Sequence, residues 1–403
     1  MPLLALAAAA LLASPTERAE VPLIGPGVVV SAPEQDPVED EHNPVAHMAI
    51  TRLAYKLYAS HYQGGELERY IGDLSGDHPP AGHDTVVAGA YEEDKPRQSP
   101  FNDAAPIMRH FWDLRLGDAR GLAGFDSSVN RAQKYWTGGF GLDRDYDAQW
   151  STSDGRHRGT MGLGAVDLHH AGRKGTAYWY LGHIAHLLED LTVPAHAHLW
   201  PHPAKLDAYE HHVKAVFRDR TELPSGAVES FQTLYGLFRN TGEVSQRYDA
   251  GVGSGPLRGK DGTADKGRRR AKGFSPSDLK DEADVLFPLA VKRVAALFVL
   301  FYRSVDKTAP VVDLDVRPDG GLSATAVDAL SGVARAGYRF EWRRSDGPAP
   351  WRPVCVGASR ARFFAETTGL YSFRVSAVDA AGNVGWSPVR TRRLAGAPLL
   401  AGL

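Results

Sequence analysis

His183, His186 and Asp190 fall three and four residues apart in the run Tyr180-Leu-Gly-His-Ile-Ala-His-Leu-Leu-Glu-Asp-Leu-Thr-Val-Pro-Ala-His196. At 3.6 residues per turn they share one face of a helix. Pro194 then breaks the helix, and His196 follows at once. Tyr180, Leu187, Leu188 and Leu191 supply apolar packing around these polar groups. Polar side chains buried in such a setting need a partner. A mixture of imidazole and carboxylate suits zinc, and zinc activates water for hydrolysis. The plain alternative is a helix with a wet polar face.

Several elements must gather further donors around that helix. Asn43 followed by Pro44 is a helix start, an N-cap with proline at the first helical position. Ile50, Leu53, Ala54 and Leu57 recur at helical spacing behind it. His47, three residues before Ile50, shares their face, where a lone histidine is readily a satisfied core residue. Residues 72–103 are rich in Gly, Pro and Asp and read as loop. Helical pattern resumes near Ala104 and carries His110. Thr176–Leu191 forms the central helix, and another helix starts near Leu206 with Tyr209, Glu210, Val213 and Phe217 on it. The glycine-rich residues 249–275 contain the run Lys266-Gly-Arg-Arg-Arg-Ala-Lys272. A solvated insertion is the plain reading, contact with anionic lipid headgroups the other. Pro276–Val305 reads as one long helix, and its charges at Lys280, Asp281, Glu282, Lys292 and Arg293 argue against a membrane span.

From Thr308 the pattern changes to alternation of apolar and polar residues. It runs through Val311–Val316, Leu322–Val327, Gly337–Trp342, Ala361–Phe364 and Leu370–Val378, separated by turn residues. This is the pattern of a β-sandwich. Asp328-Ala-Leu-Ser-Gly332 and Asp379-Ala-Ala-Gly-Asn383 resemble the loops of bacterial immunoglobulin-like modules. Fold alone assigns such a module no chemistry, and a spacer or cell-surface-binding role is the expectation.

The chain has 403 residues, 43% hydrophobic and 23% charged, with a formal net charge of −2. That is ordinary for a soluble globular protein and unlike a general nucleic-acid binder, which is usually basic. It leaves room for a nuclease whose metals bind phosphate. The single cysteine, Cys355, excludes an intramolecular disulfide, so bound metal is the available staple. Residues 1–20, MPLLALAAAALLASPTERAE, carry a short apolar run ending in small residues. Too short to span a bilayer, it reads as a signal peptide, although no Lys or Arg precedes it. A plain apolar tail is the other reading. Export places the chain outside the cell, in the periplasm or on the surface.

The central run resembles the zinc-dependent phospholipase C family, which shares its helical scaffold with single-strand-specific zinc nucleases. The family pattern Y-L-G-x-x-x-H-x-x-x-D-x-x-x-P-x-H is met by Tyr180, Leu181, Gly182, His186, Asp190, Pro194 and His196. Asn43-Pro-Val-Ala-His47, Gly89-Ala-Tyr-Glu-Glu-Asp94 and Arg109-His110-Phe-Trp-Asp113 match further family elements in order. The resemblance covers residues 40–305 and implies a mainly α-helical, phospholipase C-like metal-dependent hydrolase domain. An immunoglobulin-like sandwich over residues 308–395 follows it. Two to three zinc ions are implied. His110, His186 and Asp190 would hold the first, Asp190 would bridge to a second near His47, and His196 with Glu210 would hold the third. Asp94 would orient or deprotonate the attacking water, with the adjacent Glu93 as its rival. His183 has no ligand counterpart and reads as a supporting or satisfied polar residue.

Two departures stand out. The family places a histidine four before the glutamate of the last helix, whereas here Leu206 occupies that position. His202 is the favoured replacement ligand. Asp207, which also fits a helix-capping box with Glu210, is the alternative. The family's N-terminal tryptophan ligand has no counterpart either, since no Trp precedes Trp112; His42 or a longer tail would have to fill that place. The expected activity is phospholipase C-type hydrolysis of phospholipid at a membrane surface. A single-strand nuclease would need aromatic platforms for bases, for which Trp112, Tyr178, Trp179 and Trp200 are candidates. A non-catalytic, metal-stabilised adhesion protein is the third reading.

Overall fold

The computed structural model describes residues 44–75, 84–95, 106–117, 121–138, 163–200, 208–217, 221–248, 257–258, 264–265 and 276–396. The signal-like segment, His42, Asn43, His202, Leu206, Asp207 and the basic run Lys266–Lys272 lie outside them.

The helical part consists of α1 (Pro44–His61), α2 (Leu67–Tyr70), α3 (Val86–Glu92), α4 (Ser128–Thr137), α5 (Ala165–His170), α6 (Lys174–Asp190), α7 (Pro194–Ala197), α8 (Ala208–Phe217), α9 (Leu234–Ser245) and α10 (Pro276–Val305). Short strands β1 (Tyr62–Gln63), β2 (Leu257–Arg258) and β3 (Ala264–Asp265) accompany them, β2 and β3 paired with each other. The helix α6 is the axis, buried along its length from Ala177 to Asp190 except at Trp179. A helix surrounded on all sides needs apolar residues all round, and Leu181, Ile184, Ala185, Leu187 and Leu188 supply them.

Two sequence expectations change here. Residues 72–103 are not all loop: α3 lies within them, capped by the Thr85 hydroxyl accepting from the Ala88 N–H at 3.2 Å. Gly89, a poor helix former, hides this helix in the sequence. Conversely, His110 follows a single 3₁₀ turn, Pro106–Arg109, not an α-helix. The last long helix, α10, is apolar enough by length and composition to cross a membrane, and an 18-residue window of it reaches a mean hydropathy of 1.9. Its charges therefore do not decide the matter. Burial does, because 78% of that window is packed inside the protein.

A close helix crossing joins α3 to α6. A Cβ built on Gly182 would meet the Val86 carbonyl oxygen at 2.1 Å, and one on Gly89 would meet the Trp179 carbonyl oxygen at 2.0 Å. Glycine on each helix lets the two backbones touch. This crossing fixes how the residues after α3 approach the last turns of α6.

The C-terminal part is all β. One antiparallel sheet holds β4 (Val311–Val316), β5 (Gly321–Val327) and β9 (Arg360–Arg362). The other holds β7 (Arg339–Arg344), β8 (Arg352–Val356), β10 (Gly369–Val378), β11 (Val384–Trp386) and β12 (Arg390–Leu394), in the order β11-β10-β7-β8 with β12 also on β10. A separate core, including Leu314, Leu322, Phe340, Phe363 and Phe373, lies between them. The Tyr371 hydroxyl donates to the Thr367 carbonyl at 2.7 Å, at the start of β10. A tyrosine hydroxyl bonded back to the backbone four residues upstream ties the start of this strand to the preceding turn. Strands β8 and β12 escaped the sequence pattern because hardly a side chain on them is buried. The short strand β6 (Val333–Ala334) pairs with β1 and ties the sandwich to the helical part.

The glycine crossing gives a direct test. Gly182→Ala should lower stability by about 1–3 kcal/mol, the usual cost of overpacking, as read by denaturant unfolding. An unchanged midpoint would mean that α3 can move away from α6 at no cost.

Candidate metal centre

Four helices and two connecting segments deliver the polar side chains. His47 comes from the first turn of α1, Asp94 from the turn after α3, and His110 from the loop after the 3₁₀ turn. His186 and Asp190 come from the last turns of α6, His196 from α7 and Glu210 from α8. Asp94, His110, His186 and Asp190 each offer a ligand-type atom, and these four atoms lie within 4.8 Å of one another, all buried.

Asp190 is at the centre. Its Oδ2 lies 2.7 Å from His110 Nδ1, 3.4 Å from His186 Nε2 and 3.6 Å from His196 Nδ1. Its Oδ1 faces His47 Nε2 at 3.4 Å. One carboxylate thus faces two different sets of imidazoles. Asp94 Oδ1 approaches from the other side, 3.3 Å from both His110 Nδ1 and His186 Nε2. On the far edge His196 Nε2 lies 3.2 Å from Glu210 Oε1.

The outer nitrogens of His186 and His47 are already held. His186 Nδ1 donates to the Ala90 carbonyl at 2.7 Å, which only the close α3–α6 crossing allows. This leaves Nε2 turned inward, buried and in hydrogen-bonding geometry with nothing. His47 Nδ1 pairs with Glu189 Oε2 at 2.7 Å, and Thr51 donates to the other Glu189 oxygen at 2.8 Å. His196 stacks on Phe111 at 4.4 Å between ring centroids, and its carbonyl accepts the Trp112 N–H at 3.1 Å. Outer hydrogen bonds of this kind fix the tautomer and ring orientation of metal-binding histidines. The inward atoms are therefore imidazole nitrogens and carboxylate oxygens only, a donor set that suits zinc.

Glu93 does something different from Asp94. Arg131 and Tyr135 donate to its two oxygens, and His183 Nδ1 lies 2.6 Å from Oε2. Burial opposes its charge, but Arg131, His110 and His183 outweigh burial and hold the carboxyl well below its ordinary range. Burial keeps the His183 pKa low. Glu93 is thus an anchor beneath the site.

Glu189 and the Gly89–Gly182 contact escaped the sequence reading. Glu189 sits beside Asp190 in the motif and three residues beyond His186, a spacing that could have marked it. Nothing in the sequence pairs the two glycines.

A small cavity of about 50 Å³ adjoins the centre. Its apolar wall comes from Ile50, Val193, Val213, Phe287 and Ala290, and His47, Asp190 and Glu210 form its polar side.

No protein-family model matches the chain, and no curated protein matches it. Solved structures do. The alpha-toxin of Clostridium perfringens from the avian strain SWCP aligns over 88% of this chain and 98% of its own, at 12% identity and a TM-score of 0.38. The alpha toxin of Clostridium absonum aligns over 87% and 98%, at 13% identity and a TM-score of 0.37. At such scores the functional argument rests on the site itself.

The centre makes two predictions. In the metal-free protein burial works against a charged His186, but Asp94 and Asp190 raise its pKa well above that of free imidazole. For His110 burial is likewise outweighed, by Asp190 and Glu93, so its pKa is raised too. A ligand imidazole must be neutral, so zinc binding has to expel these protons. Zinc affinity should therefore fall as pH drops, and calorimetry near pH 7 in buffers of different ionisation enthalpy should show proton release. Proton-neutral binding would contradict the assignment. The second prediction concerns Glu93. Glu93→Gln should cost about 3–5 kcal/mol of unfolding free energy, because Arg131 is left buried without its counter-charge. A loss below about 1 kcal/mol, an exposed pair's worth, would remove its anchoring role.

Proposed function

We propose that the chain is a zinc-dependent phosphoric diester hydrolase of phospholipase C type. The observation that carries this reading is the buried group Asp94, His110, His186 and Asp190, with four ligand-type atoms within 4.8 Å. His47, His196 and Glu210 extend it to room for two to three ions. When bound, zinc would lower the pKa of a water to about 7 and offset charge on the phosphate oxygens. Asp190, facing imidazoles with both oxygens, would hold neighbouring ions together. His186 and His47 are oriented by their bonds to Ala90 and Glu189, and Glu93 lies 3.6 Å from His110 Nε2. Asp94, facing the cluster opposite Asp190, would take the proton of the attacking water. The new bond joins water oxygen to phosphorus, and the bond to the alcohol oxygen breaks as that oxygen regains a proton. The alcohol would be diacylglycerol.

The surroundings favour a lipid over a nucleic acid. The cavity beside the centre has aliphatic and phenyl walls, a better match for an apolar group than for a nucleobase. Of the four aromatic residues considered as base platforms, Trp112 and Tyr178 are fully buried in the core. Trp179 is tied to Glu92 through its indole N–H at 3.0 Å. Export through residues 1–20, action at a membrane surface, and attachment to a cell surface through the sandwich belong to the same proposal.

The test is hydrolysis of phosphatidylcholine against single-stranded DNA by the purified chain, with and without chelator. Release of phosphocholine that chelator abolishes and zinc restores is the expected result. Cleavage of DNA alone would move the assignment to the nuclease reading, and inactivity on both to the adhesion reading. Asp94→Asn should keep its zinc and lose about 10²–10⁴-fold in kcat, the usual worth of a general base. Loss of one zinc equivalent instead would make Asp94 a ligand.

A further inference from the structure

A second group of carboxylates lies apart from this centre, where the helical part meets the sandwich. Asp306 directly follows α10, Asp328 opens the turn between β5 and β6, and Asp379 opens the turn between β10 and β11. Each offers a carboxylate oxygen, and the three oxygens lie within 4.8 Å of one another. The residues are only 1%, 6% and 2% exposed, respectively. None belongs to the zinc centre.

Local turn geometry explains part of this. Asp306 Oδ1 accepts from the Thr308 N–H and hydroxyl at 2.9 and 2.7 Å. Asp328 Oδ1 accepts the N–H groups of Leu330, Ser331 and Gly332 at 3.0, 2.7 and 3.0 Å. Asp379 accepts from the Asn383 N–H and side-chain amide at 2.8 and 2.9 Å. These bonds do not account for Asp306 Oδ2, which is buried and accepts from no donor among the described residues. Nor do they balance the charge. No Lys, Arg or His among the described residues forms an ion pair with any of the three. Burial, and then the charges of Asp306 and Asp328, push the Asp379 carboxyl up despite its bonds to Asn383. The facing groups on the helical side are neutral phenols: Tyr58, whose hydroxyl donates to the Ser331 carbonyl, and Tyr62.

Three buried carboxylates without a cation are mutually repulsive, and the cost grows as water is excluded. An all-oxygen, carboxylate-rich cage on irregular loops suits a hard cation of flexible geometry, which favours calcium over zinc or magnesium. We propose that Asp306, Asp328 and Asp379 form a calcium site that fastens the end of α10 to two turns of the sandwich. The bound ion would replace repulsion with a cross-link between the helical part and the β part. The neighbouring contacts run in the same sense: β1 pairs with β6, and the Asn383 amide donates to the Asp306 carbonyl at 3.4 Å.

The experiment uses the full chain with its zinc in place, so that the catalytic centre is already filled. Calcium is titrated by calorimetry and by thermal unfolding, with terbium luminescence sensitised by Tyr58 and Tyr62 as a site-specific probe. About one equivalent of calcium should bind at or below roughly 10⁻³ M, the weak end of protein calcium sites, and should raise the melting temperature. Asp306→Asn keeps the oxygen that accepts from Thr308, and Asp379→Asn keeps the one that accepts the Asn383 N–H while giving up the acceptor for the Asn383 side-chain amide. Each should weaken calcium binding at least tenfold and abolish the tyrosine-sensitised terbium signal, with zinc content unchanged. If a variant does not fold, the wild-type titration decides alone. Absence of calcium binding by the wild type, or equal binding by wild type and variants, would overturn the proposal. So would a calcium-free Asp379→Asn more stable than a wild type that ignores calcium, because the triad would then be a proton-sharing cluster.

Discussion

Asp190 carries a negative charge at 0% exposure, and the geometry around it follows from the need to neutralise that charge on the spot. An isolated carboxylate withdrawn from water costs several kcal/mol even after relaxation. Burial pushes towards the neutral acid, but His196, His186 and His110 outweigh it and keep the pKa of Asp190 well below the ordinary range. The imidazoles are there for the carboxylate as much as the carboxylate for them. Protons on these imidazoles are one means of balance and a divalent ion is the other. The second leaves every donor neutral or anionic and turned inward, as ligands must be. A site built this way is a poor core and a good cradle, which is why it needs so much support.

That support comes from helix packing. The α3–α6 crossing is close enough to bring the Ala90 carbonyl onto His186 and the turn after α3 onto the cluster. Glycines on both helices make this possible, so a backbone contact sets the chemistry several residues away. Glu189 performs for His47 what Ala90 performs for His186, and the buried Arg131–Glu93 pair underpins His110 and His183. Each outer bond removes one freedom from one ring. Catalysis by positioned groups depends on such restraint, because small misplacements of reacting atoms are costly in rate.

The sequence made much of this legible, for physical reasons that can be named. The i, i+3, i+7 spacing of His183, His186 and Asp190 is a helix signal, so a single motif placed three of the polar groups. Apolar periodicity marked α1 and α10, and period-two alternation marked β4, β5 and most of β10. Contacts that depend on two distant segments were not legible. Gly89 looks like a helix breaker until Gly182 is seen against it. Glu189 looks like a surface charge until α1 covers it. Strands β8 and β12 are nearly all polar or exposed, so they carry no alternation to read. Asp94 was assigned from resemblance alone, and only its position opposite Asp190 shows how near it stands to the imidazoles.

The central proposal is that the buried carboxylate of Asp190 would be shared by metal ions. The most direct measurement is anomalous diffraction at the zinc edge from crystals of the zinc-loaded chain. The account predicts at least two anomalous peaks, one beside each Asp190 oxygen, with His186 Nε2 and His47 Nε2 as neighbours of different peaks. Zinc peaks confined to surface histidines, with an Asp190 pocket that contains none, would contradict it.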